Sequence, residues 1–396
     1  MKKVIVFLLL LFVCSCAPQQ IIKEQKPVTP PPLAKIPTQA MEEPALPTKE
    51  SVTPLFGTLL SDVKTSKPSF NPGLGEEVAL YYHLSKPAKI TVQVYDPDHG
   101  LIRMLAAEKN VNAGEQTIIW DGKDLDGNLV PDEAYFFTII AEDESGVKEI
   151  YDPTTFSGGA GHDITTADIN SQSQTITYKM PEMGRVMIRM GIQGGPLMNQ
   201  LVDWKPRVKG MITEYWNGKD KDNLVDLHNH AKFKMIVTYF TLPENSVIAF
   251  GNKTQTYRDY KKSTAERSVK IKRPSAVQKV SHHYGLPRTM DYSPNVNMTF
   301  VNAQGVDSDG VTVLNDKTLV KVELDEQDKL IFQNQQFEIC FFLNGEFYAE
   351  DEAGYTPFNW VWDLSSVEEG EHVLTVNISG FKDQIGVLSR KVKVVK

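Results

Sequence analysis

The chain has 396 residues, with 42 Lys and Arg against 50 Asp and Glu, and a net charge of −8 at pH 7. This acidic balance argues against nucleic acid as a main partner, because surfaces that bind nucleic acid are basic. The length allows several domains, and 3 cysteines in total indicate ordinary hydrophobic cores rather than a disulfide framework.

The N-terminal residues are typical of an export signal. Lys2 and Lys3 are followed by an unbroken apolar run over residues 4–13. A helix needs ~20 apolar residues to cross a bilayer, so this run is too short to be a membrane span. Its length and its basic flank indicate the apolar part of a signal peptide.

A cysteine motif follows this run directly. Ser15 precedes Cys16, and Val13 stands three positions before the cysteine. The pattern resembles the bacterial lipobox, which implies removal of residues 1–15, a covalent lipid on Cys16 and attachment to a membrane through that lipid. Ala17, in place of an aspartate, implies the outer membrane, on its periplasmic or its cell-surface face. The alternative is an ordinary secreted protein with an incidental cysteine.

Residues 16–66 are predicted to be a disordered tether. Prolines are frequent between Ala17 and Leu46, and aromatic residues are missing there. Such a composition cannot bury a core, and it favours an extended, polyproline-like chain. The tether would hold the folded part of the protein away from the membrane.

A short phrase occurs twice in the rest of the chain and indicates a duplicated unit. Each copy is preceded by a glycine, Gly114 or Gly210, and by a strand-like run. The phrase consists of Trp120, Asp121, Gly122, Lys123 and Asp124 in the first copy, and of Trp216, Asn217, Gly218, Lys219 and Asp220 in the second.

Short β-rich runs separated by turn signals predict an all-β fold. Alternation of apolar and polar residues is clear in residues 90–95, and Asp-Gly or Asn-Gly signals recur between such runs. No window predicts an amphipathic helix longer than two turns. We therefore expect three tandem immunoglobulin-like β-sandwich domains behind the signal peptide and the proline-rich tether.

Residues 78–146 contain a series of turn and strand residues in a fixed order. They are Val94-Tyr95-Asp96, Gly100, Leu105, Ala113-Gly114, the Trp120–Asp124 phrase, Gly127 and Tyr135. This order resembles the immunoglobulin-like (Ig-like) domain of the flagellar hook-capping protein, FlgD. The resemblance implies a β-sandwich, and such modules also occur at the C-termini of secreted bacterial enzymes. Ala134 departs from the pattern, in which a glycine precedes the tyrosine of the last strand.

The predicted domains follow from this resemblance, the repeat and the density of strands. The connector is rich in Lys and Arg, and we expect it to be solvated and extended, although it could bind phosphate, lipid A or an acidic partner. The predicted segments are an FlgD-like Ig domain at 67–150, a linker at 151–170, a divergent FlgD-like Ig domain at 171–252, a basic connector at 253–294 and an Ig-like domain at 295–396.

The repeated tryptophans are natural anchors between two sheets, and the Asp-Gly that follows Trp120 favours a tight turn. The carboxylates nearby have a second interpretation. Asp121, Asp124, Asp126 and Asn128 could ligate calcium, although their spacing is not that of an EF-hand. Turn formation explains the cluster equally well.

Four histidines give a second candidate site. His228 and His230 replace the closing turn in the second copy, and His282 and His283 end the basic connector. An HxH pair on a strand places both rings on one face, as in copper and zinc sites. Solvated loop histidines without shared geometry are the alternative, since neither spacing is a recognised ligand motif.

No nucleophile elbow, zinc-protease motif or phosphate-binding glycine loop is found in the sequence. We therefore expect a non-catalytic protein without a cofactor other than the lipid on Cys16. The predicted function is a structural or adhesive scaffold that binds or presents a protein partner in the cell envelope. The alternative is a copper- or zinc-binding envelope protein that uses His228, His230, His282 and His283.

Overall fold

The computed structural model describes residues 57–265, 288, 292–380 and 383–396, and β-strands dominate them. These residues lie in the compact unit of residues 54–396. Two short helices occur in the described part, α1 (Tyr257–Ser263) and α2 (Glu326–Phe332). Neither is long and apolar enough to cross a membrane. The all-β prediction is confirmed.

The first pair of sheets encloses a core around Trp120. One sheet has the order β1-β3-β6, and the other has the order β2-β16-β7-β4-β5, with β8 also paired to β7. The strands are β1 Leu60–Thr65, β2 Ser69–Phe70, β3 Val78–Leu84, β4 Ala88–Tyr95, β5 Leu101–Val111, β6 Gly114–Trp120, β7 Glu133–Asp143, β8 Lys148–Tyr151 and β16 Val247–Ala249.

The second pair of sheets encloses a separate core around Trp216. Its sheets have the orders β10-β11-β14 and β13-β12-β15-β9. The strands are β9 Gly161–Asp163, β10 Ala167–Asn170, β11 Thr175–Met180, β12 Gly184–Ile192, β13 Leu197–Arg207, β14 Gly210–Tyr215 and β15 Phe233–Thr241.

The third pair of sheets encloses a core that contains Trp362. Its sheets have the orders β17-β20-β23 and β18-β19-β25-β24-β21-β22. The strands are β17 Val296–Phe300, β18 Gly305–Val306, β19 Thr312–Leu314, β20 Lys317–Leu324, β21 Phe337–Leu343, β22 Glu346–Asp351, β23 Phe358–Asp363, β24 Gly370–Gly380 and β25 Ile385–Val394.

Alternating burial explains why these segments are strands. In β3, every second side chain from Val78 to Leu84 is buried, and those between them lie on the outer face. Successive side chains of a strand point to opposite faces, so this pattern places one face of the sheet in the core. Cys340 is buried in β21, in agreement with its apolar neighbours in the sequence.

The predicted tether, residues 16–66, is wrong at its C-terminal end. Residues Leu60–Thr65 form β1, which pairs with β3. The carboxylate of Glu149 accepts hydrogen bonds from the amides of Gly57, Thr58 and Leu60 at 3.0, 3.1 and 2.8 Å. These long-range contacts, and not the local composition, make this segment part of the fold.

The predicted linker, residues 151–170, contains two short strands of the second sheet pair. β9 pairs with β15, and β10 pairs with β11. Both strands are mostly polar and have no apolar run, so only their pairing defines them. The domain boundaries themselves stay predictions.

β16 differs from the expected order of the chain. It lies within the segment predicted as the second domain, residues 171–252, yet it pairs with β2 and β7 of the first sheet pair. The first sheet pair therefore contains a strand that is contributed after the whole of the second.

The connector is not extended throughout. Its first part forms α1, which begins after the cap residue Thr256, whose hydroxyl accepts from the Asp259 amide. Tyr257 and Tyr260 are buried on one side of this helix. The expectation of a solvated, extended chain is wrong for these residues, because the two tyrosines bury apolar surface that an extended linker would expose.

Candidate functional site

The first copy of the repeated phrase forms a hydrogen-bonded turn directly after Trp120. The Trp120 indole Nε1 donates to the Lys123 carbonyl at 3.0 Å, and the Lys123 amide donates to Asp121 Oδ1 at 3.1 Å. Gly122 has a φ of 71°, and a Cβ at this position would lie 2.4 Å from the Cβ of Pro72. Only glycine fits this backbone conformation and this close approach.

The second copy repeats these bonds. The Trp216 indole Nε1 donates to the Lys219 carbonyl at 2.8 Å, and the Lys219 amide donates to Asn217 Oδ1 at 3.1 Å. Gly218 has a φ of 84°. Asparagine can replace aspartate here because the turn needs only one side-chain oxygen as an acceptor.

A buried aspartate closes the loop that follows each turn. Asp124 Oδ1 accepts from the amides of Asp126 and Asn128 at 3.0 and 2.9 Å. Asp220 Oδ1 accepts from two loop amides in the same way, at 2.6 and 2.8 Å. The last residue of the phrase is thus a loop closure in both copies.

The two aspartates differ in their second oxygen. Asp124 Oδ2 accepts from the hydroxyl of Tyr260 in α1 at 3.1 Å. Asp220 Oδ2 is buried and has no hydrogen-bond partner among the residues that the structure describes. Burial raises the pKa of Asp220, and the hydrogen bonds from the loop amides oppose this shift.

The tryptophans themselves lie in the cores. Trp120 is fully buried and meets Phe70, Tyr135 and Phe137 edge-to-face, with ring centroids 5.4, 5.3 and 6.0 Å away. Such aromatic clusters are large apolar anchors. The side chains of the repeated phrase are therefore engaged in folding.

The acidic cluster of the first copy points to its own backbone. Asp121 and Asp124 bind loop amides, and Asp124 also binds Tyr260. In the described ranges, no group of three His, Cys, Asp or Glu side chains is placed to hold a metal ion. Turn formation thus accounts for the side chains of Asp121 and Asp124, and calcium binding stays an untested interpretation.

The structure describes one half of the predicted histidine site. His228 and His230 lie in a turn and not on a strand. His228 Nε2 is 2.8 Å from Ser171 Oγ, and His230 Nδ1 accepts from the Lys232 amide at 3.2 Å. The premise of two rings on one strand face is wrong. Cys16, His282 and His283 lie outside the described residues.

Buried charges join the first and second sheet pairs. Glu133, at the start of β7, binds the guanidinium of Arg185 in β12 at 2.9 Å and that of Arg288 at 3.1 Å. Arg288 also donates to the Trp204 carbonyl at 3.0 Å. Burial raises the pKa of Glu133, but the two guanidinium groups outweigh it and hold the pKa below its ordinary value.

Helix α1 is fixed to the first sheet pair by a second buried ion pair. Lys261 Nζ lies 2.7 Å from Asp96 Oδ2, and Asp96 is 1% exposed. Burial raises the pKa of Asp96 to about 6, and the ammonium group of Lys261 opposes this shift. Asp96 also accepts from the Gly100 amide at 2.7 Å.

The same helix reaches the third sheet pair. Arg258 in α1 binds Asp328 in α2 at 2.8 Å, and Asp328 is buried. The ring of Tyr292 lies 5.0 Å from the Arg258 guanidinium and 4.2 Å from that of Arg288. Tyr292 thus lies beside Arg258 and Arg288, and cation–π attraction stabilises this arrangement.

Hydrogen bonds join the second and third sheet pairs. The side-chain Oδ1 of Asn377 accepts from the Leu197 N–H, and its Nδ2 donates to the Leu197 carbonyl, both at 2.9 Å. This side chain therefore pairs with the N–H and C=O groups of Leu197 at the edge of β13, as a neighbouring strand would. Asp222 accepts from the Ser389 amide at 2.7 Å, and Arg189 binds Asp383 at 2.9 Å.

Sequence reasoning missed these junction residues. Glu133, Arg185 and Asn377 stand in ordinary strand sequences, and nothing local shows that they meet another sheet pair. The one available signal was the basic connector, whose charge requires acidic partners if the connector folds back.

Comparison with known protein families identifies one part of the chain. The model of the FlgD Ig-like domain matches residues 68–145. The chain therefore carries an FlgD Ig-like domain, and the resemblance noted in the sequence is confirmed. No curated protein matches the sequence.

Three solved structures show similarity at low sequence identity. The endo-beta-1,4-mannanase from Thermotoga petrophila is 15% identical, over 29% of this chain and 23% of that chain, with a TM-score of 0.20. FlgD from P. aeruginosa is 20% identical, over 26% and 84%, with a TM-score of 0.19. A bacterial ice-binding adhesin is 12% identical, over 86% and 98%, with a TM-score of 0.17. The chain spans less than two thirds of the mannanase.

The hydroxyl of Tyr260 is expected to stabilise the first turn. Tyr260→Phe leaves Asp124 Oδ2 without this donor, which costs about 1–3 kcal/mol for a buried acceptor. Native-state hydrogen exchange of the β6 amides measures the loss. Tyr215→Phe is the matched control, because this tyrosine is 66% exposed. Equal effects of the two substitutions would contradict the assigned role.

Removing the carboxylate at the first junction is expected to be costly. Glu133→Gln leaves two buried guanidinium groups without their counter-charge, which lowers the free energy of unfolding by about 3–5 kcal/mol. Urea-induced unfolding followed by circular dichroism measures the change. Glu346→Gln removes an exposed ion pair with Lys232 and should cost less than about 1 kcal/mol.

Asp96 is expected to make stability fall as pH rises. Its pKa is about 6 when folded, against 3.8 for an unperturbed aspartate side chain, so the folded state binds the proton more tightly. The contribution is complete below the unfolded pKa and is lost as pH rises through the folded one. Comparison with Asp96→Asn between about pH 4 and pH 6 isolates it by unfolding free energy. A constant difference between the two proteins over this interval would contradict the shift.

Proposed function

We propose that this chain is a non-catalytic, lipid-anchored scaffold or adhesion protein of the bacterial cell envelope, and that it binds or presents a protein partner. The FlgD Ig-like domain at residues 68–145 and the all-β fold support a structural role. The repeated phrase, which is the strongest motif in the sequence, forms turns and places its tryptophans in the cores.

The buried junctions are the observation that carries this proposal. A flexible string of modules would need only short linkers, whereas here Glu133 binds two arginines and Asn377 completes the edge of β13. Interfaces within a chain are polar and mobile by default, unless specific contacts hold them. A protein that presents surfaces in a fixed arrangement needs such contacts.

The proposed attachment to a membrane is supported by the N-terminal sequence. Cleavage before Cys16 and acylation of its thiol would fix the chain to the outer membrane, on the periplasmic or the cell-surface face. The proline-rich tether that follows would carry the folded unit at a distance from the lipid. Net acidity makes nucleic acid an unsuitable partner.

Affinity capture from cross-linked cell envelopes tests the scaffold function. The full chain should recover a specific envelope protein, and a Glu133→Gln variant should recover less of it, because the fixed arrangement of the sheet pairs is loosened. An envelope capture without any specific protein, together with measured turnover of a substrate by the purified chain, would refute the proposal.

Lipid attachment has its own test. Cells grown with labelled palmitate should label the full chain, and Cys16→Ala should abolish the label and release the protein from the membrane fraction. Cys14→Ala is the matched control and should keep the label, because residue 14 leaves with the signal peptide. Unchanged labelling of the Cys16→Ala variant would rule out this anchor.

A further inference from the structure

Strand β14 is an edge of the sheet β10-β11-β14. Edge strands expose unpaired N–H and C=O groups, and natural proteins usually protect them with charges, bulges, short length or a cover. Several edges here are protected in these ways. β1 has an irregular register between Ser61 and Lys64, β13 is completed by Asn377, and β22 carries Glu346 and Glu350.

β14 has no bulge and no charged side chain on its outer face, and its one charged residue, Glu214, is neutralised by Arg207 on the inner face. Its register with β11 is regular from Thr175↔Tyr215 to Met180↔Gly210, and its sequence contains neither lysine nor proline. Met211 and Tyr215 are 64% and 66% exposed on its outer face, with Thr213 exposed between them. The outer-face side chains of β14 itself are therefore uncharged, although Lys179 of β11 stands opposite Met211 on this face.

The free backbone groups belong to the same residues. The Trp216 amide donates to the Gln174 carbonyl at 2.8 Å, which makes this opposite pair a hydrogen-bonded one. Bonded and non-bonded pairs alternate along antiparallel strands. The N–H and C=O groups of Met211, Thr213 and Tyr215 therefore point away from β11, and β11 is the strand paired with β14 in the described residues.

The matching edge strand of the first copy, β6, carries a charged residue that protects it. The offset that relates the two tryptophans relates Glu115 to Met211 and Thr117 to Thr213. Glu115 is a charged residue on the β6 edge and lies 3.2 Å from the ring of His83. The duplicated edge thus carries a carboxylate in one copy and a methionine in the other.

We propose that β14 pairs antiparallel with β14 of a second copy of this chain. With Thr213 opposite Thr213 of the partner subunit, Met211 stands opposite the partner's Tyr215 on both sides of the twofold axis. Methionine–aromatic pairs stabilise such cross-strand contacts. Glu214 points to the inner face, where it binds Arg207, so no charge meets a like charge along the pair.

This self-complementarity favours a second copy over a foreign strand. When β14 runs antiparallel to itself, one register forms both apolar pairs at once, and the result is one continuous six-stranded sheet. Such a contact is isologous, so it closes at two copies and does not propagate. The pairing is independent of the proposed scaffold function.

Cysteine cross-linking of the full chain in membranes tests the pairing. Opposite hydrogen-bonded residues have Cα atoms about 5.5 Å apart, within the range that a disulfide bridges. Thr213→Cys should give a dimer on a non-reducing gel, and Thr117→Cys, the matched position on β6, should give many-fold less. Equal dimer from both variants, no dimer from either, or a Thr213→Cys adduct with a different protein would overturn the proposal.

Thr213→Pro supplies a second test that does not depend on a disulfide. The Thr213 N–H points away from β11, so proline removes no backbone bond to β11 and loses only the exposed 3.4 Å contact between the Thr213 and Thr177 hydroxyls, but it blocks the new ladder. The full chain in detergent should sediment with about twice the protein mass of this variant. Equal masses would overturn the proposal, and Thr117→Pro should leave the wild-type mass unchanged.

Discussion

The carboxylate of Glu133 is the point on which the arrangement of this chain depends. It lies buried at the start of β7 and is shared by Arg185 from the second sheet pair and by Arg288 from the connector segment. A single buried charge with two counter-charges is held only if all three groups stay in place. The backbone around it is thereby fixed as well, since Arg288 also binds the Trp204 carbonyl.

The repeated phrase was informative about fold because its chemistry is local. A glycine with positive φ, an Asx acceptor and a buried indole form one turn within a few residues, so Trp120 and Trp216 could be placed in cores from sequence alone. The FlgD Ig-like domain was recognisable for the same reason. Strands with period-two alternation, such as β3, were equally accessible.

Contacts between distant segments could not be predicted. β1 and β9 have sequences that resemble tether and linker, and each becomes a strand only through its partner. The same holds for Asn377, an ordinary strand residue whose amide completes β13. The expectation that His228 and His230 lie on one strand was wrong, because these residues lie in a turn between β14 and β15. Pairing energy depends on neighbours that a local window does not contain.

The position of β16 has a consequence for synthesis. This strand lies between β2 and β7 in the first sheet, yet the ribosome makes it after every strand of the second sheet pair. The first sheet pair therefore lacks β16 until about a hundred further residues have been synthesised. Until Val247–Ala249 is made, the side of β7 that pairs with it at Glu133–Tyr135 is an open edge, and open edges favour mispairing between chains.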